Sequence, residues 1–263
     1  MGVKITCLME NTAAREGIAC EHGLSLYIEA CGKKILFDMG QSGAFAENAK
    51  ALGADLSGVD IAILSHGHYD HGGGVLRFFE ENERAKLYVS DRAFAPHYNG
   101  TEKYIGLDPA IRESGRLALT GEEDVPLAPG LTIRKLDSSA REYPAFGQGL
   151  NVKRGEAFEP DDFAHEQYLE IAEGKKRVLI SGCSHRGVLN IAKAFCPDVL
   201  VGGLHFMKLD PEGETLCQMG EALKGTHTVY YTGHCTGETQ YEKLRERMGD
   251  QLHYLAAGSS IEL

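Results

Sequence analysis

The chain of 263 residues contains no tryptophan, no C-x-x-C pair and no apolar run of the roughly 18 residues that a membrane span requires. It begins MGVKITCLMEN, which lacks the apolar stretch and cleavage site of a secretion signal. The seven cysteines are odd in number and scattered, so they do not indicate a disulfide framework. We therefore expect free thiols, a cytoplasmic location and no membrane partner.

Positive charge is also in deficit, with 27 Lys and Arg against 38 Asp and Glu and a formal net charge of -11. A surface of this sign repels phosphate backbones, so we expect no nucleic-acid partner. Hydrophobic residues at 43% and charged residues at 25% are typical of a globular protein. We expect a single domain over residues 1–263, whose oligomeric state the sequence does not indicate.

Short apolar runs alternate with amphipathic stretches along the chain, which predicts a mixed α/β fold. Strands are predicted at Val3–Leu8, Leu24–Glu29, Lys34–Phe37, Asp60–Leu64, Lys86–Val89, Leu131–Leu136, Tyr168–Ala172, Arg177–Ile180, Asp198–Val201, Thr228–Tyr231 and Leu252–Ala256. The least regular segment, at about 137–165, is rich in glycine, proline and serine (Ser138 and Ser139 among them). We interpret it as an inserted loop on the substrate side.

Four of the apolar runs end in small residues and are followed by a histidine, at His66, His185, His205 and His234. In α/β proteins the residues just beyond the carboxyl ends of strands line the functional crevice. Because small residues allow close approach of the backbone, these four side chains are predicted to converge on one site.

The first of these strand ends reads Ser65-His66-Gly67-His68-Tyr69-Asp70-His71-Gly72-Gly73-Gly74. His66 and His68 are two residues apart, so in an extended loop they point the same way and can chelate one ion. Asp70 and His71 follow at a spacing that reaches a second ion. Nitrogen and carboxylate donors suit Zn, Mn or Fe better than Ca or Mg.

This H-x-H-x-D-H pattern after a buried strand resembles the metallo-β-lactamase superfamily, as does the strand end Phe37-Asp38-Met39-Gly40. The resemblance covers essentially the whole chain and implies a four-layer αββα sandwich with a metal site at one edge of its two sheets. A narrower branch, the dihydropterin–ribofuranosylaminobenzene 5'-phosphate synthase-like proteins, is similar in further segments. These are Glu21–Ser25, Gly182–Gly187, Gly202–His205 and His234–Gly237.

The resemblance implies a ligand set for one or two divalent ions, Zn first, with Mn or Fe as alternatives. His66 and His68 match the first-metal pair, Asp70 and His71 the second-metal pair, and His234 the last histidine ligand. His185 is our candidate for the remaining histidine. Cys183 occupies the place of the usual bridging aspartate, and it is either a thiolate ligand or a small buried thiol.

Several neighbours of these residues are weaker candidates for the second shell or for substrate contact. Glu21 and His22 either orient a ligand or form a turn. Asp38 is expected to hydrogen-bond a ligand histidine or its loop. His205 is expected to touch substrate or to support a ligand. Arg186 either holds an anion or is a solvated residue at a helix start.

Metal chemistry predicts hydrolysis of a phosphoester, acyl or similar bond in a small anionic substrate, with Asp70 and His71 as catalytic residues. The narrower resemblance implies an alternative, a transferase that releases diphosphate from a dihydropterin. Its phosphate contacts would come from Lys103, Arg141, Lys153, Arg154 and Arg186, and its stacking partners from Tyr98, Tyr104 and Tyr143. A metal-binding regulatory module is the non-enzymatic alternative.

Overall fold

The structure, a computed structural model, describes residues 2–137, 139 and 141–263. The strands are β1 Lys4–Met9, β2 Ser25–Ala30, β3 Lys33–Phe37, β4 Ile61–Ile63, β5 Leu87–Ser90, β6 His97–Asn99, β7 Lys103–Tyr104, β8 Leu117–Thr120, β9 Val125–Ala128, β10 Leu131–Arg134, β11 Leu150–Arg154, β12 Ala157–Pro160, β13 Tyr168–Glu173, β14 Lys176–Ile180, β15 Val199–Val201, β16 Val229–Thr232, β17 Leu252–Tyr254 and β18 Ser260–Glu262.

The helices are α1 Ala44–Leu52, α2 Tyr69–Gly72, α3 Val75–Glu81, α4 Pro109–Glu113, α5 Val188–Phe195, α6 Glu214–Lys224 and α7 Glu238–Met248. Short 3-10 turns at Leu56–Gly58, Asp91–Phe94, His234–Thr236 and Gly249–Gln251 join some of these elements. In the part of the chain that the structure describes, no helix has both the length and the apolar character needed to cross a membrane.

Two large sheets pack face to face, with helices on their outer faces. The first has the strand order β18-β1-β2-β3-β4-β5-β8 and the second β17-β16-β15-β14-β13-β10-β9. In β3, Ile35 and Phe37 point into the core between the sheets, whereas Leu36 points to the layer of α1 and α3. Because both faces of the central strands are buried, they read as continuous apolar runs. The mixed α/β prediction and the four-layer αββα sandwich are confirmed.

Parallel pairing gathers the functional strand ends at one edge. In the first sheet β3, β4 and β5 run parallel, and in the second β14, β15, β16 and β17 do. The carboxyl ends of parallel strands meet at the same edge, so the loops after β4, β14, β15 and β16 lie close together. These loops carry His66, His185, His205 and His234.

The segment 137–165 is not irregular throughout, which corrects the prediction of an inserted loop. It contains the hairpin β11–β12, which joins β6 and β7 in a third sheet of order β12-β11-β6-β7. Leu150 and Val152 are buried whereas Asn151 and Lys153 between them are not, the alternation of a half-buried strand. The surrounding glycines and prolines hid this short alternation. Ser138 lies outside the described residues.

Gly67, between the two histidines of the H-x-H turn, is predicted to be essential for the local backbone path. A Cβ at this position would lie 2.1 Å from the Ala93 carbonyl oxygen, which is a backbone atom and cannot rotate away. We expect Gly67→Ala to lower the free energy of unfolding by about 1–3 kcal/mol, as overpacking of a core does. Thermal unfolding measures the loss, at roughly 2–4 °C per kcal/mol for a chain of this size.

Gly121→Ala is the matched control, because a Cβ at Gly121 meets nothing within 4 Å. It should leave the melting temperature nearly unchanged, since surface substitutions without special contacts stay within about 0.5 kcal/mol. Equal melting temperatures for the two variants would contradict the steric argument.

Candidate metal centre

A turn fixed by a buried carboxylate carries the H-x-H-x-D-H residues. Asp38 follows β3 and accepts hydrogen bonds from the backbone N–H of Ser65 at 2.7 Å, from Ser65 Oγ at 2.7 Å and from His71 Nδ1 at 2.6 Å. All three residues are fully buried. Asp38 therefore ties the start of the turn to the helix that ends it. We expected Asp38 to bond either a ligand histidine or its loop, and in the structure it bonds both.

The structure brings His66, His68 and His185 together as one group of potential ligands. His185 Nε2 lies 3.3 Å from His66 Nε2, and the ring of His68 stands 4.5 Å from that of His66 and 4.9 Å from that of His185, centroid to centroid. His66 and His68 come from the turn after β4 and His185 from the turn after β14. The sequence proposed His66 and His68 for a first ion and His185 as the remaining histidine ligand, and the structure adds His185 to that pair.

The residues proposed for a second ion also converge. His71 Nε2 lies 3.2 Å from His234 Nε2 and 3.1 Å from Cys183 Sγ. Asp70 Oδ2 lies 3.4 Å from His234 Nε2 and 3.9 Å from His71 Nε2. Cys183 Sγ belongs both to a group with His66 and His71 and to a group with His234 and Cys235. The thiol therefore stands between the two sets of histidines.

The hydrogen bonds on the outer sides of these rings determine where the protons sit. Ser65 Oγ donates its only hydrogen to Asp38, so His66 Nδ1 must carry a hydrogen to bond Ser65 Oγ at 2.7 Å. His71 Nδ1 donates to the Asp38 carboxylate, and His234 Nδ1 donates to Asn11 Oδ1 at 2.9 Å. In the neutral ring the other nitrogen is then an acceptor. The Nε2 lone pairs of His66, His71 and His234 thus point inward.

Lone pairs that face one another at 3.2 Å repel unless a cation lies between them. For Zn–N bonds of about 2.0–2.1 Å, neighbouring ligand nitrogens of a tetrahedral site are about 3.3–3.4 Å apart. The nitrogen pairs His66–His185 at 3.3 Å and His71–His234 at 3.2 Å are close to that spacing. With a carboxylate and a thiol beside them, these residues fit one or two divalent transition-metal ions.

Burial sets the protonation of this centre. It lowers the pKa values of His66, His68 and His185 well below their ordinary value, and neighbouring histidines lower them further. Burial also favours the neutral form of Asp70, but the hydrogen bond from His22 and the neighbouring rings of His234 and His71 outweigh it and hold the pKa of Asp70 well below its usual range. Neutral imidazoles and an ionised carboxylate are the forms that bind metal ions.

His71 and Cys183 behave differently. Burial alone would lower the pKa of His71, but the carboxylates of Asp38 and Asp70 outweigh it and raise that pKa. Burial, with Cys235 beside it, raises the pKa of the Cys183 thiol well above its ordinary value. Cys183 is therefore a thiol in the metal-free protein, and a thiolate bond to a metal would release its proton.

Of the weaker candidates, some contact the metal ligands and others support the surrounding loops. His22 contacts the centre directly, because its Nε2 lies 3.2 Å from Asp70 Oδ2. Glu21 does not, and of its two alternatives the contacts favour the turn role. Its carboxylate accepts from the backbone N–H of Ser42 at 3.0 Å and from Ser42 Oγ at 2.7 Å, and so supports the turn before α1.

Arg186 is neither a solvated helix start nor part of the wall around the metal ligands. Its side chain is buried and donates to the Leu136 carbonyl. It faces a separate cavity of about 700 Å³, which Lys135 and Arg141 also line. Its backbone N–H donates to Glu166, whose carboxylate also accepts from the backbone N–H of His185 at 2.7 Å. Arg186 thus reaches the centre only through the loop that carries His185.

His205 lies beside the ligand groups without joining one. Its ring centroid is 4.3 Å from that of His185, and its Nδ1 lies 3.0 Å from the Phe146 carbonyl oxygen, to which it donates. The neutral ring then keeps a lone pair on Nε2. Among the described residues, no group of potential ligands includes His205. It lines the cavity of the metal centre, as a substrate contact would.

The cavity at the centre measures about 110 Å³ and opens between Asp70, His185 and His234. Two lysines, Lys103 and Lys208, line this cavity. Its wall also contains Tyr69, Ile105 and Met207, and two residues of the third sheet, Asn99 and Leu150.

Of the phosphate contacts that the sequence proposed, Lys103 alone lines this cavity. Arg141 and Arg186 face the larger cavity, Arg154 lines a third one, and Lys153 lies over the Phe158 ring. Tyr98 and Tyr104 pack edge to face in the third sheet, and Tyr143 lies under Lys193.

Sequence reasoning missed several residues that support the centre. Asn11 bonds His234, Glu10 accepts from the His234 backbone, and Cys235 adds a second buried thiol. His97 and Asp161 lie behind His68 and were not singled out. Cys235 lies in the His234–Gly237 segment that carries the resemblance, but the other four residues belong to no motif and gave no signal in the sequence.

The sequence profile of the Metallo-beta-lactamase superfamily matches residues 19–186, which is more than half of the chain. The chain belongs to the metallo-beta-lactamase superfamily. Proteins of this fold bind divalent metals, and the superfamily consists mostly of metal-dependent hydrolases. The groups of histidine, aspartate and cysteine described above are where such ions would bind in this member.

Three relatives span nearly all of the chain. A solved structure, Tm1679, described as a metal-dependent hydrolase of the β-lactamase superfamily, aligns with a TM-score of 0.85 and 26% identity over 99% of each chain. "Uncharacterized protein MJ0448" of Methanocaldococcus jannaschii is 30% identical over 92% of this chain and 94% of its own.

The third relative, also from Methanocaldococcus jannaschii, is named 7,8-dihydropterin-6-methyl-4-(beta-D-ribofuranosyl)-aminobenzene-5'-phosphate synthase. It is 27% identical over 99% of this chain and 96% of its own. The branch that the sequence resembles is thus represented among the relatives.

The buried His205 predicts acid sensitivity of the metal-free protein. Burial lowers the pKa of His205 to about 4, whereas an unfolded histidine titrates near about 6.5. Between pH 6.5 and 4, His205 binds a proton in the unfolded chain but stays neutral in the folded chain. The free energy of unfolding therefore decreases as the pH falls through this range. The contribution of this one ring is roughly 3 kcal/mol.

Urea unfolding of metal-free protein at pH 7.5, 6 and 5 measures this loss. His205→Gln removes one titrating ring, so its free energy of unfolding should fall less steeply with decreasing pH than that of the wild type. Identical slopes for the two proteins would show that His205 does not carry the effect.

Proposed function

We propose that the protein is a metal-dependent hydrolase that cleaves an ester bond in a small anionic molecule, with phosphorylated substrates as the first class. One observation carries the proposal. The Nε2 atoms of His66 and His71 point inward at His185 and His234, and His185, His234 and the ionised Asp70 line an open cavity. A small molecule suits the size of this cavity and the net charge of -11, which disfavours nucleic acid.

Two sets of residues would hold the ions. His66, His68 and His185 would bind the first, and Asp70, His71 and His234 the second, with Cys183 between them. Bound divalent ions supply a Lewis acid for the scissile group and lower the pKa of water to about 7. The proposal takes Zn as the first choice, because the set mixes imidazole, carboxylate and thiol donors.

Asp70 and His71 would have distinct tasks. Asp70 lines the cavity, and its ionised carboxylate can accept a proton from attacking water at Oδ2. His22 Nε2, 3.2 Å from the same oxygen, would donate its hydrogen there and hold the carboxylate in place. His71 is fully enclosed, so it would act through its position beside Asp70 and not by exchanging protons with solvent.

The lysines at the cavity wall favour an anionic substrate. Among the described residues other lysines form ion pairs, and neither Lys103 nor Lys208 takes part in one. Lys103 Nζ bonds Tyr69 Oη at 3.3 Å, and Lys208 Nζ bonds the Gln148 carbonyl at 3.5 Å. Both ammonium groups contact neutral partners only, so their positive charge is available to a phosphate or carboxylate of the substrate. A cavity of about 110 Å³ encloses only one such group, so the rest of the substrate would lie outside.

The synthase named among the relatives supports a second candidate function, the transfer of a dihydropterin with release of diphosphate. The same lysines would hold the leaving diphosphate. The narrow cavity favours hydrolysis, because two large ring systems would have to meet at its rim. Hydrolysis and transfer differ in one readout, which is whether a second substrate is required for product formation.

The test uses protein loaded in turn with Zn, Mn and Fe under anaerobic conditions. We expect metal-dependent turnover on a panel of phosphomonoesters, phosphodiesters and acyl esters. A parallel reaction contains a dihydropterin methyl diphosphate with and without an aminobenzene riboside phosphate, followed by mass spectrometry. A condensed product that forms only with both substrates would replace hydrolysis by transfer. Turnover in neither assay, with metal bound, would favour the regulatory module.

Asp70→Ala and His68→Ala are the informative variants, because each removes a donor from one of the two groups. Metal content and turnover should fall together in both. Lys153→Met is the matched control, since Lys153 was a candidate contact by sequence but lies over Phe158, away from the cavity. Full metal content and full turnover in Asp70→Ala would overturn the proposed centre.

Cobalt substitution tests the place of Cys183. A thiolate bound to Co(II) gives an intense sulfur-to-metal absorption band, and Zn and Co select the same donors. We expect this band in the wild type and its loss in Cys183→Ser, whereas Cys196→Ser, at an exposed cysteine, should retain it. Retention of the band in Cys183→Ser would assign Cys183 to the alternative, a buried thiol that binds no ion.

A further inference from the structure

Beside His68 lies a second group of polar residues with buried side chains: His97 from β6, Asp161 after β12, and His165 before β13. We call it the His97–Asp161–His165 cluster. None of the three residues is needed for the proposed ligand sets. Burying a carboxylate and two imidazoles is costly unless they are paired, so their arrangement calls for an explanation.

Asp161 organises the cluster. Its Oδ2 lies 2.6 Å from His97 Nδ1 and 3.4 Å from His165 Nε2, and its Oδ1 accepts from the backbone N–H of Phe163 at 2.8 Å. Burial alone would raise the pKa of Asp161, but the hydrogen bonds from His165 and His97 outweigh it and hold that pKa well below its ordinary value. Asp161 is therefore an ionised acceptor, and both rings donate to it.

The proton positions exclude His165 as a metal ligand. The backbone N–H of Gly67 donates to His165 Nδ1 at 2.9 Å, so Nδ1 carries a lone pair and the ring hydrogen is on Nε2. A nitrogen that carries a hydrogen cannot bind an ion. The cluster is therefore a hydrogen-bonded unit and not a third metal site, although its donor atoms lie within 4.8 Å of one another and of His68.

His97 is the member of the cluster with a free acceptor. Its Nδ1 donates to Asp161, so the neutral ring has a lone pair on Nε2. That nitrogen is buried and has no hydrogen-bond partner among the described residues, and the same holds for Nε2 of His68. The two rings stand edge to face, 5.6 Å apart at their centroids and 75° inclined. Each ring thus keeps one buried nitrogen without a partner, and these two nitrogens do not hydrogen-bond each other in this structure.

His68 takes part in both groups, with His66 and His185 on one side and with the cluster on the other. It also lines the cavity of the metal centre, while its Nε2 is enclosed. A ring in this position can offer one nitrogen to an ion only if the other carries the hydrogen. Metal-binding histidines generally donate that hydrogen to an outer partner, which fixes the ring and raises its basicity.

We propose that His97 is a positioning residue for the metal centre, and that its Nε2 accepts the Nε2–H of His68 so that His68 Nδ1 faces the ion. Asp161 holds the His97 ring in the required tautomer, and His165 joins Asp161 to the H-x-H turn through Gly67. This inference rests on the proposed function in one respect, which is that His68 binds an ion.

The experiment compares two substitutions of His97 by zinc affinity, measured in competition with a chromophoric chelator. His97→Gln keeps a donor for Asp161 and an acceptor for His68, whereas His97→Leu keeps the volume and removes both. We expect His97→Leu to lose about 10–100-fold in affinity, as loss of an outer partner does. His97→Gln should retain an affinity close to that of the wild type. A purely structural role would not separate the two variants in this way.

A second measurement on the wild type does not depend on how the variants fold. Nitrogen-15 NMR of the zinc-loaded, histidine-labelled protein reports which ring nitrogen is metal-bound and which carries hydrogen. We expect His68 to bind zinc through Nδ1 with hydrogen on Nε2.

The outcomes separate the two claims. If the wild type binds no metal, the proposed function fails. If it binds zinc but His68 does so through Nε2, or if His97→Leu binds as tightly as the wild type, only the role of His97 is overturned.

Discussion

The Asp38 carboxylate is the constraint on which the rest of the site depends. It is fully buried and takes hydrogen bonds from the Ser65 backbone, the Ser65 hydroxyl and His71. Through Ser65 it also fixes the proton on His66. One carboxylate thus orients a histidine of each proposed ion. Removing it would leave Ser65 and His71 with unsatisfied buried donors, which costs more than the bonds themselves contribute.

Two further histidines have an outer partner at the ring, and His185 has one at its backbone. Asn11 holds His234, the Phe146 carbonyl holds His205, and Glu166 holds the backbone of His185. Asp38, His205 and His234 also have positive φ angles of 58°, 56° and 49°, which side-chain-bearing residues rarely adopt. Such strain persists where surrounding contacts over-determine the backbone, and it is common at functional sites.

Much of the fold could be predicted from the sequence because burial leaves a direct pattern. Leu36 between Ile35 and Phe37 faces the helices while its neighbours face the other sheet, so β3 has to be apolar throughout. The hairpin β11–β12 escaped prediction because only Leu150 and Val152 are buried in it. Two apolar residues among glycines and prolines are too weak a periodic signal to distinguish a strand from a loop.

The H-x-H-x-D-H donors could be recognised in the sequence because they lie within six residues, which keeps them close along the chain. His185, His205 and His234 could be recognised because each follows an apolar run. The place of Cys183 between the two groups, the separate cavity that Arg186 faces, and the position of His97 and Asp161 beside His68 became known from the folded structure. These contacts join residues far apart in the chain, and their distances depend on the register and packing of three sheets, which no local pattern encodes.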